Sequence, residues 1–207
     1  MFDAHEKLHR VVGWTQHTLN ETQIGQLDRY VDWLLGEALP AGALGPEEGR
    51  RVWDRHICDA LSFATAWPRN RPERAIDIGS GAGLPGIPLA ILWPDTEWTL
   101  LDRSRKKVQL LRRASRVLNL PNARAIEGDL ETQEDRYDAV VARGVQSPDR
   151  LREHIEGLLE PRGVAAIGLT RLAGGADPLT FEDEEVVSVP TSVLDGGAQI
   201  LIIRHRD

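Results

Sequence analysis

DIGSGAGLPGIPLA, residues 77–90, is a glycine-rich turn between two apolar segments. Glycine at 79, 81 and 83 permits positive φ and close approach of the backbone to a ligand. A purely structural turn rarely needs three. Pro85 suits the first turn of a following helix, where its missing N–H costs nothing. Working outward, RAIDIG (74–79) reads as the strand before the turn and 85–92 as the helix after it. Short apolar strands then alternate with helices: EWTLLD (97–102), ARAIEG (123–128), YDAVVA (137–142) and GVAAIG (163–168), with helices at 104–118 and 148–159. That alternation is the signature of a parallel sheet built from right-handed crossovers. The tail differs, because EEVVSVP and AQILIIRH are joined by a short Gly-Gly loop with no helix between them, which predicts an antiparallel hairpin at one sheet edge.

Residues 1–67 contain no convincing strand. The run 24–39 puts Ile24, Leu27, Tyr30 or Val31, Leu34 and Leu35 on one face, and 52–67 puts Val52, His56 or Ile57, Ala60, Leu61 and Ala64 inward. Proline and glycine in PAGALGPEEG separate the two helices, and PRNRP (68–72) marks a boundary. We expect a helical extension, 1–67, packed on a main domain, 68–207.

The chain has 207 residues, 41% apolar and 28% charged, which fits one full core and excludes global disorder. No stretch approaches the roughly 18 apolar residues of a membrane span, and the polar start lacks a leader's apolar region, so a cytoplasmic protein is expected. Cys58 is the single cysteine; it excludes an internal disulfide and a multi-cysteine zinc site, and in an apolar helix it reads as a buried, inert thiol. The formal net charge of −7 argues against nucleic-acid binding through overall basicity. Its distribution says more. Eight cations and no acid lie between Arg103 and Arg124, leaving about −15 on the rest.

Two cofactor loops fit the turn. Gly81, Gly83 and Gly86 satisfy G-x-G-x-x-G, with Asp102 closing the next strand, so a dinucleotide site is open. The same stretch satisfies D-x-G-x-G-x-G from Asp77 to Gly83, the spacing of a loop for S-adenosylmethionine. That cofactor carries a cationic sulfonium and an α-ammonium instead of a diphosphate, and Asp77 at the strand end can favour positive charge. Asp102 can accept both ribose hydroxyls of either cofactor. Asp129, after the third strand, can meet an adenine amino group. Carboxylates at three successive strand ends and the final hairpin favour the methyltransferase sheet, although each acid could also cap a helix.

The wording of the loop goes further. DIGSGAGLPGIPLAILWPDTEWTLLDRSRKKVQLLRRASRVLNL resembles the bacterial 16S ribosomal RNA guanine-N7 methyltransferases, the RsmG or glucose-inhibited-division-protein-B family. WDRHICDAL resembles that family's R-H-I-x-D-S helix, and YDAVVARGVQS its Y-D-x-V-x-S-R-A-x-x-S strand and turn. Three places depart from the pattern: Gly42-Ala43-Leu44 stands for N-L-T, Gly168-Leu169-Thr170 for L-K-G with Arg171 as a substitute for the lysine, and Ala142-Arg143-Gly144 for the S-R-A turn. The resemblance implies a class I, Rossmann-like α/β fold with a mostly parallel seven-stranded sheet, S-adenosylmethionine as cofactor, and ribosomal RNA or the 30S particle as partner. It implies cofactor contacts from Asp77, Gly79, Ser80, Gly81, Gly83, Leu84, Asp102, Arg103, Asp129, Leu130 and Arg143. A divergent enzyme of this fold with a small-molecule or protein acceptor, a non-catalytic binding protein and a dehydrogenase are the competing readings.

Methylation at guanine N7 uses a free lone pair, so no general base is needed and positioning carries the chemistry. No Ser/His/Asp arrangement, H-E-x-x-H or clustered metal ligand appears, and no metal is expected. Arg143, at a strand end bordering the ligand crevice, is assigned to the acceptor base, where it could reach guanine O6 or stack on the ring. His56 and Asp59, one turn apart, read as a hydrogen-bonded buried pair outside the chemistry. On helix 104–118, Val108, Leu111, Ala114 and Leu118 can face the sheet, while Lys106, Lys107, Arg112, Arg113 and Arg116 form a basic face for RNA phosphates. A monomer without membrane or metal partners is expected.

Overall fold

A computed structural model describes residues 2–144, 154–169 and 185–205. Of the expected helix 148–159, residues 148–153 lie outside these, as do Thr170, Arg171 and the acidic loop before Glu185; 154–158 are helical and Leu159 already begins a strand. Among the described residues, seven strands form one sheet in the order β3-β2-β1-β4-β5-β7-β6. They are β1 (Arg74–Ile78), β2 (Glu97–Asp102), β3 (Ala123–Glu127), β4 (Tyr137–Arg143), β5 (Leu159–Gly168), β6 (Glu185–Val189) and β7 (Ala198–Arg204). The first five are parallel; β7 runs antiparallel between β5 and β6, with Ala166 opposite Ile202 and Val187 opposite Ile200. Reversal of the strand order between β1 and β4 opens a crevice at their C-terminal ends, where ligands of open α/β sheets bind.

Beside a helical stretch at 154–158, the helices are α1 (Phe2–Trp14), α2 (Glu21–Trp33), α3 (Asp59–Ser62), α4 (Gly86–Leu92) and α5 (Arg105–Val117). Strand alternation sorts the two faces. Trp98, Leu100, Val141 and Ala166 point to the face covered by all five helices, and Ile76, Ile78, Val140 and Ile167 to the face that Ile155 and Leu158 cover. The N-terminal helices therefore share one core with the sheet. On α5, Val108, Leu111, Ala114 and Leu118 are all buried, each Val or Leu contributing about 1.5–3 kcal/mol. A Schellman turn stops α5: Asn119 takes φ +53, and Leu120 N–H donates to Ser115 O at 2.9 Å.

The two N-terminal helices hold π-helical segments that apolar spacing does not reveal, Leu34–Ala38 after α2 and Val52–Cys58 before α3. The first turns Leu35 outward to 37% exposure, against its expected inward place, while Leu27, Tyr30, Val31 and Leu34 are buried. Asn20 and Gln23 form a capping box on α2, and the Gln23 amide also donates to Ile91 O and Leu92 O, carbonyls at the end of α4. Pro85 precedes α4 as its N-cap instead of entering the first turn. Cys58 is fully buried, and burial pushes its thiol up to about 12. No helix of the described residues is long and apolar enough to cross a membrane.

Candidate active site

Two clefts meet above the C-terminal strand ends. The first, about 440 Å³, is lined by Ile78, Gly79, Leu101, Asp102, Gly128, Asp129 and Leu130, with Arg103, Lys107, Glu131 and Gly144 at its rim. Asp102 is 4% exposed, and its two oxygens accept from Gly81 N–H (3.0 Å) and Ser104 N–H (2.8 Å). A carboxylate has about four acceptor positions, so capacity for a diol remains. Lys107 Nζ lies 3.8 Å from Asp102 Oδ2. Asp129 caps the 3-10 turn Leu130–Thr132 through Glu131 N–H, so it serves as an N-cap while standing on the cleft wall.

Asp77 lies beneath this cleft. Alternation along β1 turns it away from Ile76 and Ile78, under the glycine turn, where it is fully buried. Its Oδ2 accepts from Ser80 Oγ (2.5 Å) and from Gly86 N–H (2.9 Å), while Oδ1 has no partner. Burial outweighs those two bonds and raises its pKa to about 7. In this position the Asp77 carboxylate braces the loop from below through Oδ2. Ser80, Gly83 and Leu84 are likewise buried in the loop's own packing, and Tyr30 Oη on α2 donates to Ala82 O at 2.9 Å.

This geometry answers the choice of cofactor. The amide at the start of α4, where a dinucleotide site would place a diphosphate, already binds the Asp77 carboxylate. Gly86 is required by that packing, since a Cβ there would sit 2.6 Å from Asp77 Oδ2 and 2.5 Å from Leu100 Cδ2. The positive φ at Gly79, Gly81 and Gly83 matches the turn read from sequence, with Gly83 at +102° pressed on Ile87.

The second cleft, about 340 Å³, adjoins the first at Gly144, which lines both. Arg143, next to Gly144, lines this second cleft. Its Nη1 donates to Asp59 Oδ2 (2.7 Å) and Arg55 O (3.1 Å), and its Nη2 to His56 Nδ1 (3.3 Å). A guanidinium only donates, so Nδ1 is the acceptor and the imidazole proton sits on Nε2. Burial and the neighbouring Arg143 charge lower the His56 pKa and keep the ring neutral. Nε2 approaches Glu48 Oε2 at 3.1 Å without the alignment of a hydrogen bond. Sequence reasoning missed Glu48, Gly128 and Gly144; only proximity to the quoted motifs marked Gly144.

The basic face of α5 is largely engaged. Lys106 Nζ donates to Ala41 O (2.8 Å), Arg112 Nε to Ala125 O (3.3 Å), and Arg113 pairs with Glu37 through Nε and Nη2. Lys107 belongs to the first cleft.

The strand order with its reversed seventh strand, together with the carboxylate-tipped crevice, defines the class I S-adenosylmethionine-dependent methyltransferase fold. Solved structures agree at the level of fold: precorrin-6y C5,15-methyltransferase from Geobacter metallireducens superposes with TM-score 0.53 at 14% identity over 72% of this chain and 87% of its own. Coclaurine N-methyltransferase bound to N-methylheliamine and SAH gives TM-score 0.53 at 16% identity over 81% and 58%. The chain belongs to the GidB family, described as rRNA small subunit methyltransferase G, whose model matches residues 23–168. Ribosomal RNA small subunit methyltransferase G of Acidothermus cellulolyticus is 38% identical over 66% of this chain and 60% of its own length, and that of Mycobacterium marinum 37% over 65% and 60%. The match thus spans about 60% of these curated relatives.

Proposed function

We propose that the protein is an S-adenosylmethionine-dependent methyltransferase that methylates N7 of a guanine in small-subunit ribosomal RNA. The observation that carries this reading is the junction of two clefts at Gly144, the first ending in a carboxylate suited to a ribose diol and the second holding an arginine. The first cleft fits the cofactor by its donor set. Asp102 would accept the ribose hydroxyls, Ile78, Leu101 and Leu130 would flank the adenine, and Asp129 would stand near its amino group. Gly79 offers backbone where a side chain would block approach. The bound cofactor would supply an electrophilic methyl on a sulfonium, which the N7 lone pair would accept as the S–CH3 bond broke, leaving a neutral thioether and a cationic purine.

The chain's task is then to hold two partners in line and exclude water. Arg143, fixed by Asp59, Arg55 and His56, would present its remaining N–H groups to the base. The exposed cations Arg103, Arg105 and Arg116 would meet phosphates on either side of the crevice, and Lys106 and Arg112 would add the N–H groups that their single carbonyl contacts leave over. Tritiated methyl transfer to purified small subunits and to naked RNA, followed by nucleoside analysis, tests the proposal. N7-methylguanosine is the expected product. A labelled protein or small molecule with unlabelled RNA would refute it.

A further inference from the structure

The second cleft presents its polar groups in a definite order. Gly144 stands at the opening to the first cleft, Arg143 precedes it, His56 bonds to Arg143, and Glu48 faces His56. In chemical terms the row is an opening, a donor, a second donor (Nε2–H) and an acceptor. Guanine carries a matching row along one rim: N7, then O6, which accepts, then N1–H and the 2-amino group, which both donate. Adenine offers a donor where guanine has O6 and an acceptor at N1, so the same row would face it with mismatched groups.

We propose that Glu48 is the residue that selects guanine, its carboxylate accepting from N1–H and the 2-amino group while Arg143 and the neutral His56 face O6. The inference rests on the N7-methylation reading and adds the residue that decides which base is accepted. Three features of the cleft support it. Glu48 Oε2 and His56 Nε2 lie 3.1 Å apart at the cleft wall without the alignment of a hydrogen bond, so neither group is committed to a fixed partner. The neutral imidazole separates the Arg143 and Glu48 charges, so they do not collapse into one ion pair; Arg143 is held by Asp59 instead. Gly168 lets the Phe63 ring form the cleft floor, since a Cβ there would lie 2.8 Å from Phe63 Cζ. The π-helical segment Val52–Cys58, which carries Arg55 and His56, is the irregularity that brings them to this wall.

The test uses the full chain with E48Q and E48D, acting on small ribosomal subunits purified from cells lacking this methylation. E48Q replaces one acceptor by an amide donor at constant shape; E48D keeps the charge and shortens the arm. With E48Q the rate at saturating subunits should fall roughly 10- to 100-fold, the range set by one bidentate base contact. E48D should recover part of it. Calorimetric affinity for S-adenosylhomocysteine and filter-binding affinity for the subunit should stay within three-fold, because phosphates dominate binding. Rates within three-fold of the parent for both variants, with cofactor affinity retained, would overturn the role of Glu48. A parent enzyme that labels no RNA would instead overturn the methylation reading beneath it. Loss of cofactor affinity in both variants would show Glu48 to be structural and overturn the inference equally.

Discussion

The two clefts that meet at Gly144 are held by different kinds of interaction. The first is built from main chain: Asp102 is fixed by two backbone amides, the loop by Asp77 beneath it, and the wall comes from successive strand ends between Ile78 and Gly144. The second is built from side chains that come from distant parts of the chain, with Arg143 held by residues 84 to 88 positions away. A cofactor shared by many enzymes is met by backbone that cannot easily change. An acceptor particular to one enzyme is met by side chains on irregular helices that can.

That contrast can be broken most severely in the loop. Gly86→Ala inserts a methyl against Leu100 and Asp77, and we expect a loss of about 3 kcal/mol in chemical unfolding, with cofactor binding abolished. Next in size, Asp102→Ala removes the diol acceptor and strands two amides. S-adenosylhomocysteine affinity should drop roughly 10- to 100-fold by calorimetry, while subunit binding in a filter assay changes little. Asp59→Asn should do the reverse, raising the apparent KM for subunits or lowering kcat several-fold with cofactor affinity unchanged, since it loosens Arg143 alone. Equal effects of the two substitutions on both ligands would erase the distinction between the clefts.

A smaller effect is a pH dependence. Asp77 has its pKa raised from 3.8 to about 7, so the folded chain holds a proton that the unfolded chain releases between those values. Its contribution is therefore most favourable below pH 4 and declines until about pH 7. Asp77→Asn, which stays neutral, should gain in melting temperature relative to the parent as pH rises from 5 to 8; a constant difference would contradict the buried-acid reading. Smallest of all, Arg116→Glu on the exposed face of α5 should leave melting temperature and cofactor affinity unchanged and weaken subunit binding at low salt, the effect fading as salt rises. Lys107 is unsuited to this test, because it stands beside Asp102.

The same division governs what the sequence could reveal. The strands and α5 were legible because burial imposes period two on one and 3.6 on the other, and Val108, Leu111, Ala114 and Leu118 obey it without exception. The acid at each strand end was legible as a position. Its direction was not, since Asp77 and Asp102 look alike in sequence, yet Asp77 pairs with Leu100, two residues short of Asp102 in register, and so lies under the loop while Asp102 ends on the cleft. The second cleft was hardly legible at all. Glu48 reaches His56 only after a π-helical turn that no apolar spacing announces, and Leu35 was misplaced by a similar turn at the end of α2. Lys106 and Arg113 look like free phosphate ligands in a linear reading, but folding brings Ala41 and Glu37 to them.

The account depends on the Asp77 carboxylate occupying the place at the head of α4 where a diphosphate would bind. Isothermal titration of the protein with S-adenosylhomocysteine and with NAD measures this directly. One molecule of S-adenosylhomocysteine per chain should bind, with affinity reduced in Asp102→Ala, and NAD should give no heat of binding. Saturable NAD binding that S-adenosylhomocysteine cannot displace would contradict it.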